Sequence, residues 1–326
     1  MGSLRESRGW TRAAAAVLAG ALAFGIAGCG SSDEDSGSGG ETITVKHAKG
    51  ETAVPTEPQK VVVLGSQWLD TALALGLQPA AYLDPAAVQA NAAPAWQTTK
   101  PTGQQLNATG NVPEQVAALE PDLILTDSFI ANQANNYDEL SKIAPTVSGL
   151  SEEIITPWQD LVTTLGDILN KDDEAAALIQ GVNDKIAGLT AANPGLQGKT
   201  FASTFLYSAS QLMVLTDPKD GSAKLMEQLG LTIPQNLRDQ PAAGGRLALS
   251  PERVGELTAD LLLAGYTPGM DEKFRQLPGF GELPAVRKDA VVFMTTQEIT
   301  GVNQPTVLSI PFVLDTISPA LANAAK

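Results

Sequence analysis

The segment PEQVAALEPDLILTD, beginning at Pro113, returns as PERVGELTADLLLAG at Pro251, with seven of fifteen positions identical. Each copy opens on proline and glutamate, runs through an amphipathic stretch and a short turn, and closes on an apolar run. That is the pattern of a helix, a turn and a buried strand. Amphipathic helix–strand units also resemble one another by chance, so the surrounding pattern has to agree. Residues 60–65 form a continuous β-branched run ending at glycine, as suits a strand buried on both faces. Trp68, Leu69, Ala72, Leu73 and Leu75 then recur at helical spacing and are closed by Gly76. Further strands are predicted at 79–83 and 123–126, with helices at 113–119 and 137–143, and Pro-Thr-Val at 145–147 is expected to close this lobe. Strand and helix in alternation argue for a parallel α/β sheet.

From Trp158 to Ala192 the period becomes a sustained helical one. Asp172 and Asp173 mark where one helix ends and the next begins, and the second places Leu178, Ile179, Val182, Ile186 and Leu189 on one face. Twenty helical residues span about 30 Å, enough to reach from one lobe to another. Asn193, Pro194 and Gly195 stop it. Strands are then expected at 201–207, 212–215, 261–264 and 291–294, with a helix at 225–229. The fold class is α/β, with two Rossmann-like lobes of mainly parallel sheets joined by a long interlobe helix.

Arg5, Arg8 and Arg12 precede an uncharged apolar run at 13–27. A basic head before about fifteen apolar residues fits a secretory signal and is short for a membrane span. The run ends in Ile26-Ala27-Gly28-Cys29, which resembles the lipobox of bacterial lipoproteins. Cys29 is the single cysteine, so the chain forms no intramolecular disulfide. Residues 30–40 carry no apolar side chain and read as a hydrated tether. The expected boundaries are 1–28 for the signal peptide, 29–42 for the tether, 43–156 and 195–326 for the lobes, and 157–194 for the helical segment. Cleavage before Cys29 leaves 18 basic against 35 acidic residues, a balance that repels nucleic acid. Membrane contact then comes from lipid rather than from charge.

ALEPDLILTD, YDELSKIAPTV from Tyr137, DEAAALIQGVNDKIAGL from Asp173, LSPERVGELTADLLL, LPAVRKDAVVFM from Leu283 and GVNQPTVLSIPFVLDTI from Gly301 follow in order. Together they resemble the ferric-siderophore and cobalamin substrate-binding proteins of ABC importers, from about residue 43 to the C-terminus. The resemblance implies two lobes, a ligand in the cleft between them, and modest hinge motion. It implies as partners a permease dimer with its ATPase subunits. It also implies that Glu114 and Glu252, at matching motif positions, face paired arginines on the two permease subunits. A carboxylate at a helix start has a purely local use as well. Residues 84–107 depart from the pattern, being polar, alanine-rich and poorly periodic.

Enzyme chemistry has little to work with. His47 is the single histidine and is expected at an exposed position ahead of the first lobe strand, and no nucleophile elbow, Walker loop or dinucleotide fingerprint is present. A bare-metal importer needs several histidines or carboxylates. A chelated iron needs no protein ligand and no resident cofactor, only apolar walls and a few donors. Tyr207, Tyr266 and Met213 keep heme open as a ligand. Cobalamin is a further candidate ligand, and a sensor or scaffold lipoprotein without transport a further candidate role.

Ligands sit at the carboxyl ends of parallel strands. That rule selects Ser66, Gln67, Trp68, Asp127, Ser128 and Phe129 in the first lobe, and Tyr207, Tyr266, Thr296 and Gln297 in the second. Trp68 reads either as a stacking wall or as the first core residue of its helix. Arg246, in a glycine-rich loop before the second repeat, is expected either to open on the cleft or to be a solvated loop arginine. The five arginines after Cys29 all lie between Arg238 and Arg287. So few cations favour a near-neutral hydroxamate or mixed siderophore over a tricatecholate.

Overall fold

The computed structural model describes residues 41–240 and 242–326. The leader, Cys29 and residues 30–40 lie outside the described residues. β1 (Thr42–His47) and β2 (Gly50–Pro55) form an antiparallel hairpin that is not among the expected strands, although polar and apolar residues alternate along it. The hairpin corrects the expectation for His47. The ring is buried, with Nδ1 3.2 Å from the Ser148 hydroxyl and Nε2 2.9 Å from that of Thr52. Burial lowers its pKa, so it is a neutral clasp between the hairpin and the first sheet.

That sheet is wholly parallel and runs in the order β5 (Gln104–Gln105), β4 (Ala81–Leu83), β3 (Val61–Leu64), β6 (Leu123–Thr126), β7 (Thr146–Val147). All four residues of β3 are buried. The pleat sends Val61 and Val63 to one apolar cluster and Val62 and Leu64 to another. The covering helices are α1 (Ser66–Ala74), α2 (Pro85–Ala90), α3 (Val112–Ala117), α4 (Ser128–Ala131) and α5 (Asn136–Leu140). Caps fix where two of them begin. The Asp84 carboxylate accepts from Ala86 N before Pro85-started α2, and the Asn111 side chain accepts from Glu114 N in α3.

α6 (Trp158–Leu169) and the 21-residue α7 (Asp172–Ala192) follow. The break falls at Asn170 and Lys171, and α7 starts on three acids, Asp172, Asp173 and Glu174, which favour a helix N-terminus. α7 packs on α6 and on the C-terminal helix α13 (Ser309–Ala324).

The second sheet is mixed. β8 (Lys199–Ser208) pairs antiparallel with β9 (Gln211–Leu215), which pairs antiparallel with β11 (Arg246–Leu249). On its other side β8 pairs parallel with β12 (Leu261–Tyr266), and β12 with β13 (Val291–Thr295); β10 (Leu231–Thr232) adds to the start of β8. Its helices include α8 (Gly221–Gln228), α9 (Gln235–Arg238), α10 (Asp271–Arg275), α11 (Pro284–Arg287) and α12 (Thr296–Asn303). The repeat is therefore structural: α3 leads to β6, and the segment Pro251–Glu256 leads to β12. The second copy is a 3-10 helix rather than an α-helix. Arg246 begins a strand and does not lie in a loop, because Gly244 and Gly245 complete the turn just before it with φ of 57° and 71°.

Both sheets share one continuous apolar cluster. It runs from Val61, Trp68 and Leu125 through Leu161, Leu165, Val182 and Ile186 of α6 and α7 to Phe201, Leu263 and Leu314.

Candidate ligand-binding cavity

In the first sheet the chain reverses direction across β3 and β6, where a crevice at the strand ends is expected to take ligand. Here the protein fills that crevice itself. The Asp127 carboxylate accepts from Gln67 N at 3.1 Å and Trp68 N at 3.2 Å, so the acid capping the start of α1 is internal. Gly65 adopts φ 125°, and a Cβ there would lie 2.1 Å from the Asp127 carboxyl carbon. The residue as a whole keeps some exposure, yet its carboxyl group is enclosed, and desolvation pushes its pKa up to about 7 despite the two N–H donors.

The neighbours are equally occupied. Ser66 donates to Asp84 Oδ1 at 2.7 Å, and Gln67 exchanges hydrogen bonds with the backbone of Thr156. Trp68 is fully buried in the shared core, with its indole N–H unpartnered. Ser66, Gln67, Trp68 and Asp127 are thus structural groups, and the expectation that they wall the ligand is corrected. Once the strand ends are sealed by their own side chains, the strand-end rule selects supports. Phe129, 60% exposed on α4, lines no part of the cavity on the second sheet.

That cavity measures about 260 Å³, near the lower bound of ligand pockets. Alternate residues of two strands form its floor: Ser203, Phe205 and Tyr207 from β8, and Gln211, Met213 and Leu215 from β9. One face of α12 forms a wall through Thr296, Ile299, Thr300 and Asn303, spaced i, i+3, i+4, i+7. Arg246 closes one end, and Gln89 of α2 reaches in from the first half of the chain. Tyr207 is half exposed and meets Phe205 edge-on at 4.5 Å between centroids. The Asn303 side-chain oxygen is buried without a hydrogen-bond partner beside this wall.

Two expected residues stand behind this wall. Tyr266 does not line the cavity; its carbonyl accepts from the Thr296 hydroxyl at 3.1 Å, which fixes the start of α12. Gln297 donates to Ala92 O at 2.8 Å and so ties α12 to the segment after α2. On the far side of α2 a second cavity of about 420 Å³ is lined by Val88, Asn91, Lys100 and Asn107. The segment 84–107 is therefore ordered as the partition between two cavities.

Gln89, Gln211, Thr300 and Asn303 are lining residues that the strand-end rule does not select. The α12 set is readable as a helical face in TQEITGVN. Gln89 carries no such signal.

A sequence profile of the family described as periplasmic binding protein matches residues 61–298. The chain is 29% identical over 222 residues to the "Probable siderophore-binding lipoprotein YfiY" of Bacillus subtilis, a match covering 64% of each chain. Among solved structures, a periplasmic solute binding protein of Mycobacterium smegmatis is 29% identical, with a TM-score of 0.72 over 87% of this chain and 99% of that one. The iron uptake ABC transporter substrate-binding protein PiaA of Streptococcus pneumoniae is 25% identical, with a TM-score of 0.67 over 87% and 99%. With the profile spanning most of the chain and solved folds of the same kind matching nearly end to end, the protein belongs to the periplasmic binding protein family.

Proposed function

We propose that the protein captures a ferric siderophore in the cavity between α2 and the second sheet and delivers it to an ABC importer. The observation that carries this reading is the lining. None of the thirteen lining residues is His, Cys, Asp or Glu, so the site has no ligand set for a bare cation. It offers hydroxyls, amides, one arginine and an exposed tyrosine ring, which suit a chelate whose iron is already coordinated. The naming of similar proteins as siderophore-binding and as iron uptake components supports the same reading.

The test is calorimetric titration of the chain with ferric hydroxamate, catecholate and citrate complexes, with heme and free iron salts alongside. At least one ferric chelate should bind saturably and iron salts should not. Tyr207→Ala should weaken that affinity about tenfold, ~1.4 kcal/mol, by removing an aromatic contact surface. Tight binding of heme alone, with Tyr207 and Met213 as the available axial donors in the cavity, would replace the siderophore reading.

The chain is held at the outer face of the cytoplasmic membrane by lipid on Cys29. Among the described residues no helix is long and apolar enough to cross a membrane. Each acyl methylene adds about 0.8 kcal/mol of membrane affinity, more than an acidic surface can oppose. Cys29→Ala should move the protein to the soluble fraction or leave it unprocessed. A variant that stays membrane-bound and correctly cut would rule out the lipid anchor.

A further inference from the structure

Arg246 is the one formally charged residue among those lining the cavity, and it is not free. Its Nη2 lies 3.0 Å from Asp220 Oδ2, with the two side chains 26% and 16% exposed. Asp220 is held in place from the other side, where Oδ1 accepts from the Ser222 backbone N–H at 2.9 Å and from the Ser222 hydroxyl as the cap of α8. Asp217 packs against Gly245, one residue before Arg246. The cationic end of the cavity is therefore neutralised by the protein before any ligand arrives.

We propose that Asp220 sets the charge of the chelate this site accepts, and that the preferred ligands are neutral ferric trishydroxamates rather than anionic catecholate or carboxylate complexes. The inference rests on the siderophore reading of the cavity. Three hydroxamates balance the charge of ferric iron, and the neutral complex then presents carbonyl and amide groups to Gln89, Gln211, Thr300 and Asn303. Three catecholates leave a trianion. To use Arg246 that trianion must either share the guanidinium with a mostly buried carboxylate of like charge or displace it and leave it without its partner. The excess of acidic over basic residues opposes its approach as well.

Asp220→Asn keeps the volume and the capping oxygen while removing the charge, and Asp220→Ser is a second variant that also caps. Ferrichrome serves as the neutral probe and ferric enterobactin as the trianion, titrated calorimetrically into the full chain in detergent, with a thermal melt to confirm folding. The wild type should prefer ferrichrome by at least about a hundredfold. Either variant should narrow that ratio by about tenfold or more, and the affinity it gains for the trianion should fall as salt is raised. A wild type that prefers the trianion, or a ratio unmoved in folded variants, overturns the role of Asp220. Binding of no ferric chelate by the wild type overturns the siderophore reading instead, and this inference with it.

Discussion

Replacing Asp70 with alanine should lower the unfolding free energy by about 3 kcal/mol, since it strands several buried donors at once. Asp70 lies in α1 and is 1% exposed. Its Oδ2 accepts from Trp96 Nε1 at 2.8 Å and from the Thr306 hydroxyl at 2.6 Å, and its Oδ1 accepts from Gln97 Nε2 at 2.9 Å. Thr306 belongs to the loop before α13, so this carboxyl joins the two halves of the chain. Each orphaned donor costs about 1–3 kcal/mol, and removal of a desolvated acid offsets part of the sum. Asp70→Asn should fall between, because its amide oxygen still accepts from Trp96 and Thr306 while its NH2 opposes that of Gln97. Urea unfolding of the three proteins measures the difference; an alanine variant as stable as wild type would make the cluster incidental.

The same residue predicts a pH dependence. Desolvation pushes the Asp70 carboxyl up to about 7, and Asp127 likewise, against an ordinary 3.8. Between those values the folded state holds protons that the unfolded chain releases, so these groups add stability as pH falls from about 7 toward about 4. His47, with its pKa lowered by burial, opposes them below its ordinary 6.5. The melting temperature should therefore rise from about pH 8 to pH 6 in wild type and rise less in Asp70→Ala.

Uptake should fall by at least about tenfold in the double variant Glu114→Arg, Glu252→Arg, with ligand affinity and melting temperature close to wild type, because like charges facing each other across an interface cost several kcal/mol. Both glutamates are exposed, each just inside the helix of one repeat copy, and Glu114 stands third rather than second because α3 begins at Val112. The Ser250 hydroxyl donates to Glu252 and holds its pKa below the usual carboxylate range, so that residue stays ionised. Single exposed ion pairs contribute about 0–1 kcal/mol to stability, so folding should survive. A two-fold permease bearing arginines would instead meet two cations. Normal transport by the double variant would reduce the two glutamates to helix-start residues.

What was legible in the sequence was set by range. β3, β6 and β12 are legible because a strand buried on both faces writes itself as a local apolar run, β13 because its partly buried edge strand is also a local apolar run, and α7 because its stripe repeats locally. Tyr207 and Arg246 were placed near the cavity by strand ends and a repeat boundary. The buried polar groups were not legible. Asp70 and Thr306 are 236 positions apart, and nothing in the Asp84–Asn107 stretch announces that Trp96 and Gln97 turn inward to meet them. The burial of His47 is not legible for the same reason, since its partners Ser148 and Tyr137 come from distant turns of the chain. For Trp68 the sequence leaves two readings open, and its full burial is that of the first core residue of its helix.

The unbroken apolar core beneath both sheets also bears on how an importer tells loaded from empty. Swinging one half far from the other would tear open the apolar cluster where α7 meets α13, whereas rearranging α2 and the cavity side chains would not. Loaded and empty chains would then present nearly the same outer face, with Glu114 and Glu252 exposed in both. On the proposed role in import, empty chains would compete with loaded ones for the importer, and uptake would follow the fraction of chains carrying cargo as much as their number.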